Sequence, residues 1–213
     1  MKKILTIGAA ILSFAAFTSI ANAATPGTYL GLGLGASRLE TNDKLSFTNG
    51  TTSSSSKKGG LGERLFAGYN FNEYFGVEAG LAHYAKSSYD ASTIGANKSV
   101  DYNLNAFDVV GKAYLPLGEG FNVYALGGAA LVKSKTQVKA NNAVVFGQTG
   151  NHDYNNSKIR PVYGIGVSYD IAQTGVTTNM ELTRIVGTGN TSTNPRAIPN
   201  ADMLSFNVAY NFG

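Results

Sequence analysis

Apolar and polar residues alternate along most of this chain, and no segment keeps the 3.6-residue period of an amphipathic helix. In the first such stretch, Leu30, Leu32 and Leu34 alternate with glycines. Eight stretches are found, at residues 30–36, 64–71, 75–81, 107–115, 121–132, 163–169, 179–183 and 204–212. The stretch at 121–132 is apolar on both faces, so it predicts a strand without assigning its faces. Each strand is expected to extend over roughly 9–12 residues, the length of a tilted membrane-spanning strand.

The connections between these stretches alternate in length. Short connections are expected at 72–74, 117–120 and 171–175, and long polar ones at about 40–60, 86–100, 133–158 and 188–201. A soluble sandwich has no reason to place every long loop at one end, whereas outer-membrane barrels have short periplasmic turns and long extracellular loops. The pattern therefore predicts an all-β fold, an eight-stranded antiparallel up-and-down transmembrane β-barrel with short periplasmic turns and long extracellular loops.

The charged residues within the strands indicate which face is the interior. Arg64, Glu78, Asp108, Lys112 and Glu181 all fall on the face that carries small and polar residues. A one-residue slip of register would turn Arg64 or Lys112 toward lipid, at a cost of about 2–4 kcal/mol each near the midplane. These five residues are therefore predicted to form an ion-pair network in the barrel lumen.

The N-terminal residues have the pattern of an export signal. Lys2 and Lys3 precede an apolar stretch at 4–20, and Ala21-Asn22-Ala23 supplies the small-x-small pattern of a cleavage site. We expect a cleaved signal peptide at 1–23 and one outer-membrane β-barrel domain at 24–213. Export leaves the periplasm, the medium or the outer membrane of a Gram-negative bacterium as destinations, and the alternation favours the outer membrane.

Composition excludes several classes of function. The chain has no Cys and only 2 His, which excludes thiol nucleophiles and Cys-ligated metals and makes a His-built metal site a poor fit, so no cofactor or metal is expected. Without Lys2 and Lys3 the net charge is +4 − 2 = +2, which does not favour nucleic-acid binding. The predicted outer half carries 13 basic and 7 acidic residues, +13 − 7 = +6, which suits the phosphates of lipopolysaccharide as well as simple solubility.

Four segments resemble the transmembrane domain of the OmpA family, and the resemblance covers essentially the whole chain after residue 23. The segments are Gly68-Tyr69-Asn70-Phe71-Asn72-Glu73-Tyr74 through Glu78, Lys112 through Pro116, Pro161-Val162-Tyr163 through Tyr169, and Met203 through Gly213. The resemblance implies a barrel whose lumen is plugged by side chains and holds an ion-pair switch, with Glu78 and Lys112 at two of the switch positions. Asn179 stands where the family has arginine, Ser168 where it has glutamate and Gly33 where it has a lumenal lysine. A fixed pair is therefore expected rather than a complete switch.

The resemblance also implies partners. Outer-membrane lipids, lipopolysaccharide and the barrel-assembly machinery that recognises the last strand are expected. Two-domain relatives continue into a peptidoglycan-binding domain, whereas this sequence stops at Gly213, so no such domain is expected. The implied function is that of a non-enzymatic envelope-integrity barrel with surface-exposed loops.

Three alternative functions stay open. The loops could bind an extracellular ligand as an adhesin or recognition protein, or the lumen could form a narrow, low-conductance pore. A lipid A-modifying enzyme is the most distant alternative, because such barrels use His with Ser and a carboxylate. His83 has Ala85, not Ser, two residues further on, whereas His152 lies beside Asp153 with Ser157 nearby. The glycines at 31–35 lack the spacing and the following helix of a phosphate-binding loop.

Overall fold

A computed structural model of the chain describes residues 25–40, 53–93, 96–141, 144–145, 148–188, 194 and 196–212, so the predicted signal peptide lies outside the described residues. The strands in these ranges are β1 (Gly27–Glu40), β2 (Ser53–Lys57), β3 (Gly59–Asn70), β4 (Phe75–Thr93), β5 (Ala96–Gly118), β6 (Phe121–Asn141), β7 (Val144–Val145), β8 (Gln148–Thr149), β9 (His152–Ile171), β10 (Val176–Ile185) and β11 (Asn200–Asn211). No helix within these ranges is long and apolar enough to cross a membrane.

Eight of these strands close into an antiparallel barrel, which confirms the predicted fold. The order around the barrel is β1-β11-β10-β9-β6-β5-β4-β3, and β3 returns to β1. The remaining strands add to this ring. β2 continues the line of β3 along β4, and β7 and β8 form a two-stranded sheet of their own.

The strands are staggered around the ring, and the stagger sets the width of the lumen. The stagger can be measured by starting at Leu34 and stepping from each residue to its cross-strand partner. Through β3, β4, β5 and β6 these steps lead to Ser157 on β9. Followed the other way, through β11 and β10, they lead to Val167, an offset of 167 − 157 = 10 residues. A staggered barrel of eight strands is just wide enough for side chains to fill. The interior is therefore a packed core.

The two faces of the wall follow the predicted alternation. Leu30, Leu32 and Leu34 are exposed on the outside, where they meet lipid in an outer-membrane barrel. β6, whose faces the sequence left unassigned, turns Asn122 and Tyr124 inward and Phe121 outward. Its inward face also carries the buried residues Leu126, Ala130 and Val132.

The three short turns lie at the predicted end of the barrel. In the first, at residues 71–74, the Oδ1 atom of Asn72 accepts hydrogen bonds from the backbone N–H groups of Tyr74 and Phe75, both at 2.8 Å. The second is formed by Glu119 and Gly120, and their φ angles of 54° and 85° lie in the left-handed region. The third occupies residues 172–175. Pairs of exposed aromatic rings, such as Phe121 with Tyr169 at 4.5 Å, lie close to these turns.

The prediction of long polar loops was wrong for most of 86–100 and 133–158. β4, β5, β6 and β9 continue far beyond the apolar band, with lengths of 19, 23, 21 and 20 residues in place of roughly 9–12. The segment Ser53–Ser56, part of the long polar connection predicted at about 40–60, lies in β2 and pairs with β4. Outside the membrane the outward residues are polar, so the sequence loses its strong alternation although the backbone ladder continues.

The extended strands enclose an apolar core in the outer half of the barrel. Its fully buried members include Leu39 on β1, Tyr102 and Leu104 on β5, Ile185 on β10 and Ile198 in the segment before β11. The sequence predicted a small and polar interior throughout. Apolar residues occupy the outer half because the surrounding strands shield it from water, so the hydrophobic effect favours them there.

The exposed leucines of the band provide a test of the register. Leu32→Arg places a charge in the lipid-facing band and should lower the free energy of unfolding by about 2–4 kcal/mol if Leu32 lies near the midplane. Leu61→Arg, on the outward face of the neighbouring strand β3 and nearer the outer rim, should cost about 0–1 kcal/mol. Urea titration in liposomes measures both, and equal costs would contradict the placement of the band.

Candidate lumenal site

The barrel brings together all five of the charged residues that the sequence places on its inner face. Arg64 comes from β3, Glu78 from β4, Asp108 and Lys112 from β5, and Glu181 from β10. Their exposed fractions are 6%, 1%, 4%, 5% and 1%, so the whole cluster is buried. We call this cluster the lumenal network. It includes two cations and three carboxylates, 2 − 3 = −1 in formal charge.

Arg64 is the centre of the lumenal network. Its Nη2 atom lies 2.7 Å from Oδ1 of Asp108 and 3.0 Å from Oε1 of Glu78. Its Nη1 atom lies 2.6 Å from Oε1 of Glu181. The planar guanidinium therefore contacts carboxylates from three strands, which a lysine ammonium on the same position would not reproduce.

Lys112 joins two of the same carboxylates from a different direction. Its Nζ atom lies 2.5 Å from Oε2 of Glu78 and 3.4 Å from Oε2 of Glu181. The same two oxygens accept hydrogen bonds from tyrosine hydroxyls, Oε2 of Glu78 from Tyr29 and Oε2 of Glu181 from Tyr124, each at 2.9 Å. The carboxylates that bridge the two cations are thus bonded on several sides, as buried charges require.

Aromatic rings also lie next to the two cations, and the sequence did not predict them at this site. Lys112 Nζ lies 4.9 Å from the ring centre of Tyr124 and 5.7 Å from the ring centre of Phe66. The Cζ atom of Arg64 lies 5.5 Å from the ring centre of Phe66. Tyr29, Phe66 and Tyr124 share the inward position in the alternation of their strands. For Tyr29 and Phe66 this inward position was the signal available in the sequence. For Tyr124 there was none, because the stretch at 121–132 is apolar on both faces.

Two glycines make room for the tyrosines of the site. A Cβ atom at Gly68 would lie 2.3 Å from Cζ of Tyr29, and one at Gly166 would lie 2.4 Å from Cζ of Tyr124. Any larger residue at either position would displace a ring that holds a carboxylate. The alternation of glycine with large residues therefore reflects close packing across the lumen.

The positions that depart from the OmpA pattern carry neutral polar groups. The Oδ1 atom of Asn179 accepts hydrogen bonds from Nδ2 of Asn207 at 2.5 Å and from the hydroxyl of Tyr124 at 3.3 Å. Ser168 is buried nearby and, like Asn179, lines a cavity of about 30 Å³ on the turn side of Lys112. A cavity of this size has room for one or two water molecules.

The two histidines lie away from the lumenal network. His83 is exposed on the outside of β4, and its Nδ1 atom lies 2.6 Å from Oδ1 of Asn105. His152 begins β9, with its ring 6.4 Å from that of Tyr154. The carboxylate of Asp153 contacts Nζ of Lys135 at 2.9 Å. The hydrogen bond from Lys135 lowers the pKa of Asp153.

Metal binding has no support in the described part of the chain. Within those residues, no group of three or more His, Asp or Glu side chains is placed to hold a metal ion.

Comparison with known proteins places this architecture in a family. The family model for the OmpA-like transmembrane domain matches residues 23–213. Outer membrane protein A of Serratia marcescens is 28% identical over 222 residues, covering 100% of this chain and 57% of that protein. Outer membrane protein A of Escherichia fergusonii is 30% identical over 218 residues, covering 100% of this chain and 56% of that protein. The chain thus spans little more than half the length of these two relatives.

A shorter relative and two solved structures extend the comparison. An uncharacterized protein of Coxiella burnetii is 29% identical over 201 residues, covering 79% of this chain and 77% of that protein. The crystal structure of Neisserial surface protein A has a TM-score of 0.54 at 16% identity and covers 87% of this chain and 97% of its own. The crystal structure of OprG of Pseudomonas aeruginosa has a TM-score of 0.53 at 13% identity, and the match covers 89% of this chain and 98% of OprG.

The two structures share the fold with this chain, and the family model covers nearly all of the sequence after the predicted signal peptide. The chain belongs to the family of OmpA-like transmembrane domains and is an outer-membrane β-barrel.

Proposed function

We propose that this protein is a non-enzymatic outer-membrane barrel that supports envelope integrity, with its lumen closed by the lumenal network. The observation that carries the proposal is the triple contact of Arg64 with Glu78, Asp108 and Glu181. These contacts tie β3, β4, β5 and β10 together across the interior. A barrel held closed in this way contributes a rigid wall to the membrane.

A closed lumen fits the packing on both sides of the lumenal network better than a pore does. On the outer side, the apolar core that contains Tyr102, Leu104 and Ile198 fills the barrel. On the turn side, the cavity of about 30 Å³ holds one or two water molecules at most. Ions would have to cross an apolar core and displace buried charges, so conduction is not expected of the intact protein.

The lumenal network is proposed to be a fixed plug. A switch needs a second position for its charges, and the two family positions that would supply it are Asn179 and Ser168. Asn179 is committed to hydrogen bonds with Tyr124 and Asn207. Lys112 is therefore expected to stay on Glu78 and Glu181.

A recognition role is the second candidate, and the structure of the outer rim favours it. β4, β5, β6 and β9 rise beyond the apolar band as one sheet, whereas β10 ends at Ile185, opposite Val162 of β9. From Asn155 to Arg160, β6 is the one strand that pairs with β9 among the described residues, so β9 is an edge of this sheet. The side chains of Asn156 and Arg160 on this edge donate hydrogen bonds to the backbone carbonyls of residues 196, 186 and 187. Sheet edges bind extended peptides through backbone hydrogen bonds. An external protein segment could add to β9 in this way.

Complementation tests the envelope role. In a strain that lacks this protein, the barrel with residues 88–101 replaced by a short turn between Ser87 and Tyr102 should restore resistance to detergent as well as the intact protein does. Unboiled and boiled SDS-gel mobilities confirm that the trimmed barrel folds. If folded, trimmed protein failed to restore resistance, the envelope role would not reside in the barrel itself.

Stability measurements test the fixed plug. Lys112→Met removes one partner of a buried ion pair and should lower the free energy of unfolding by about 3–5 kcal/mol. Lys139→Met, at an exposed lysine on β6, should change it by less than about 1 kcal/mol. Combining Lys112→Met with Glu78→Gln should cost less than the sum of the single changes. An additive result would mean that the two residues are not coupled.

Planar bilayer recordings test closure of the lumen. The intact protein should show no persistent conductance. Lys112→Ala leaves one cation with three carboxylates, 1 − 3 = −2, so any current that it admits should be carried by cations. Lys139→Ala serves as the matched control and should behave like the intact protein. Steady conductance of the intact protein would favour the pore alternative.

A further inference from the structure

Six polar residues form a regular patch on the outer face of the barrel wall. They lie in two neighbouring rows that cross β5, β6 and β9. One row pairs Asn105, Lys133 and Ser157, and the other pairs Asn103, Lys135 and Asn155. All six lie on the outward face of their strands, the face that also carries the exposed Leu131 of β6 and Ile159 of β9. We call these six residues the outer-face patch.

The outer-face patch lies directly above the lipid-facing band. The row below it, toward the short turns, pairs Phe107, Leu131 and Ile159, which are 45%, 41% and 71% exposed. The patch is therefore the first polar layer outside the hydrocarbon on these three strands. In an outer membrane this is the level of the phosphorylated sugars of the outer leaflet.

The chemistry of the patch suits an anionic sugar. It lines an open surface groove of about 380 Å³, and its side chains are amides, a hydroxyl and two ammonium groups. Amides and hydroxyls pair with sugar hydroxyls, and ammonium groups pair with phosphate. The six residues include no carboxylate, although the next row outward carries Asp101 and Asp153. Both of these acids already form ion pairs, with Lys86 and Lys135 respectively.

Within the patch, the contacts of two residues indicate which groups are available. Lys135 forms an ion pair with Asp153. Among the described contacts of the two lysines that line the groove, Lys133 is therefore the one available to an anion. Asn105 Oδ1 accepts a hydrogen bond from the Nδ1–H of His83 at 2.6 Å, which turns its amide NH₂ group toward other acceptors. A phosphate beside Lys133 would find this NH₂ group and the hydroxyl of Ser157 on either side.

We propose that the outer-face patch binds the phosphorylated sugar head group of an outer-leaflet glycolipid, with Lys133 as the phosphate ligand. The acyl chains of the same lipid would lie against Leu131 and Ile159. This inference rests on the outer-membrane location and does not depend on the envelope role. A glycolipid bound at this site would hold β5, β6 and β9 in one orientation relative to the outer leaflet.

The test measures retention of lipid A by the refolded, full-length barrel in detergent micelles. Native mass spectrometry or calorimetry with diphosphorylated lipid A gives the affinity of the intact protein. Lys133→Gln should weaken binding about tenfold, the loss of one charge-assisted contact, and Lys133→Arg should restore most of it. Lys139→Gln removes an equal charge from the same face of β6, outside the patch, and should change the affinity by less than about twofold.

Two further probes distinguish the source of the phosphate. Removing the phosphates from lipid A should weaken its binding to the intact protein. The loss of affinity should equal the loss that Lys133→Gln causes with diphosphorylated lipid A. Glucosamine 1-phosphate, which lacks acyl chains, should bind far more weakly than lipid A. Equal losses in Lys133→Gln and Lys139→Gln would overturn the site, and equal affinity for glucosamine 1-phosphate would overturn the lipid as its ligand. Unchanged SDS-gel mobility of each variant shows that the barrel is intact.

Discussion

A polar backbone group without a partner is too costly in hydrocarbon, and this constraint governs the whole molecule. Each strand that crosses the membrane must pair on both sides, so the sheet has to close on itself. β1 meets this requirement by pairing with β3 on one side and β11 on the other. Closure with an offset of ten residues then determines how wide the interior is and which side chains meet inside it.

The interior that results is divided along its length. Near the middle of the barrel it holds the lumenal network, in which each buried charge contacts an opposite charge. Glu78 and Glu181 also accept hydrogen bonds from tyrosine hydroxyls. Toward the outside it holds an apolar core, because the long strands β4, β5, β6 and β9 exclude water there. Toward the turns it keeps one small polar cavity. The three zones together support the proposal of a closed lumen, and this is why a structural role is proposed rather than transport.

The outer surface of the wall changes in character at a definite level on β5, β6 and β9. One row of side chains is apolar, and the next row outward is polar and carries Lys133. Because strand residues on one face repeat every second position, this boundary is sharp. The same strands therefore contribute a lipid contact, the proposed head-group contact and, further out, an edge of the sheet.

The sequence alone was sufficient for the strands that cross the membrane, for their faces except those of β6, and for the five charged residues of the lumen. Lipid imposes a strict alternation there, and a charge such as Arg64 or Lys112 is tolerated only inside. The sequence did not predict the outer extensions of β4, β5, β6 and β9, since water accepts polar residues on a strand as readily as on a loop. Nor did it show that Tyr29 and Tyr124 hold the carboxylates, or that Asn103, Lys133 and Ser157 share one groove. Those contacts join residues far apart in the chain, and only the register and stagger of the closed barrel bring them together.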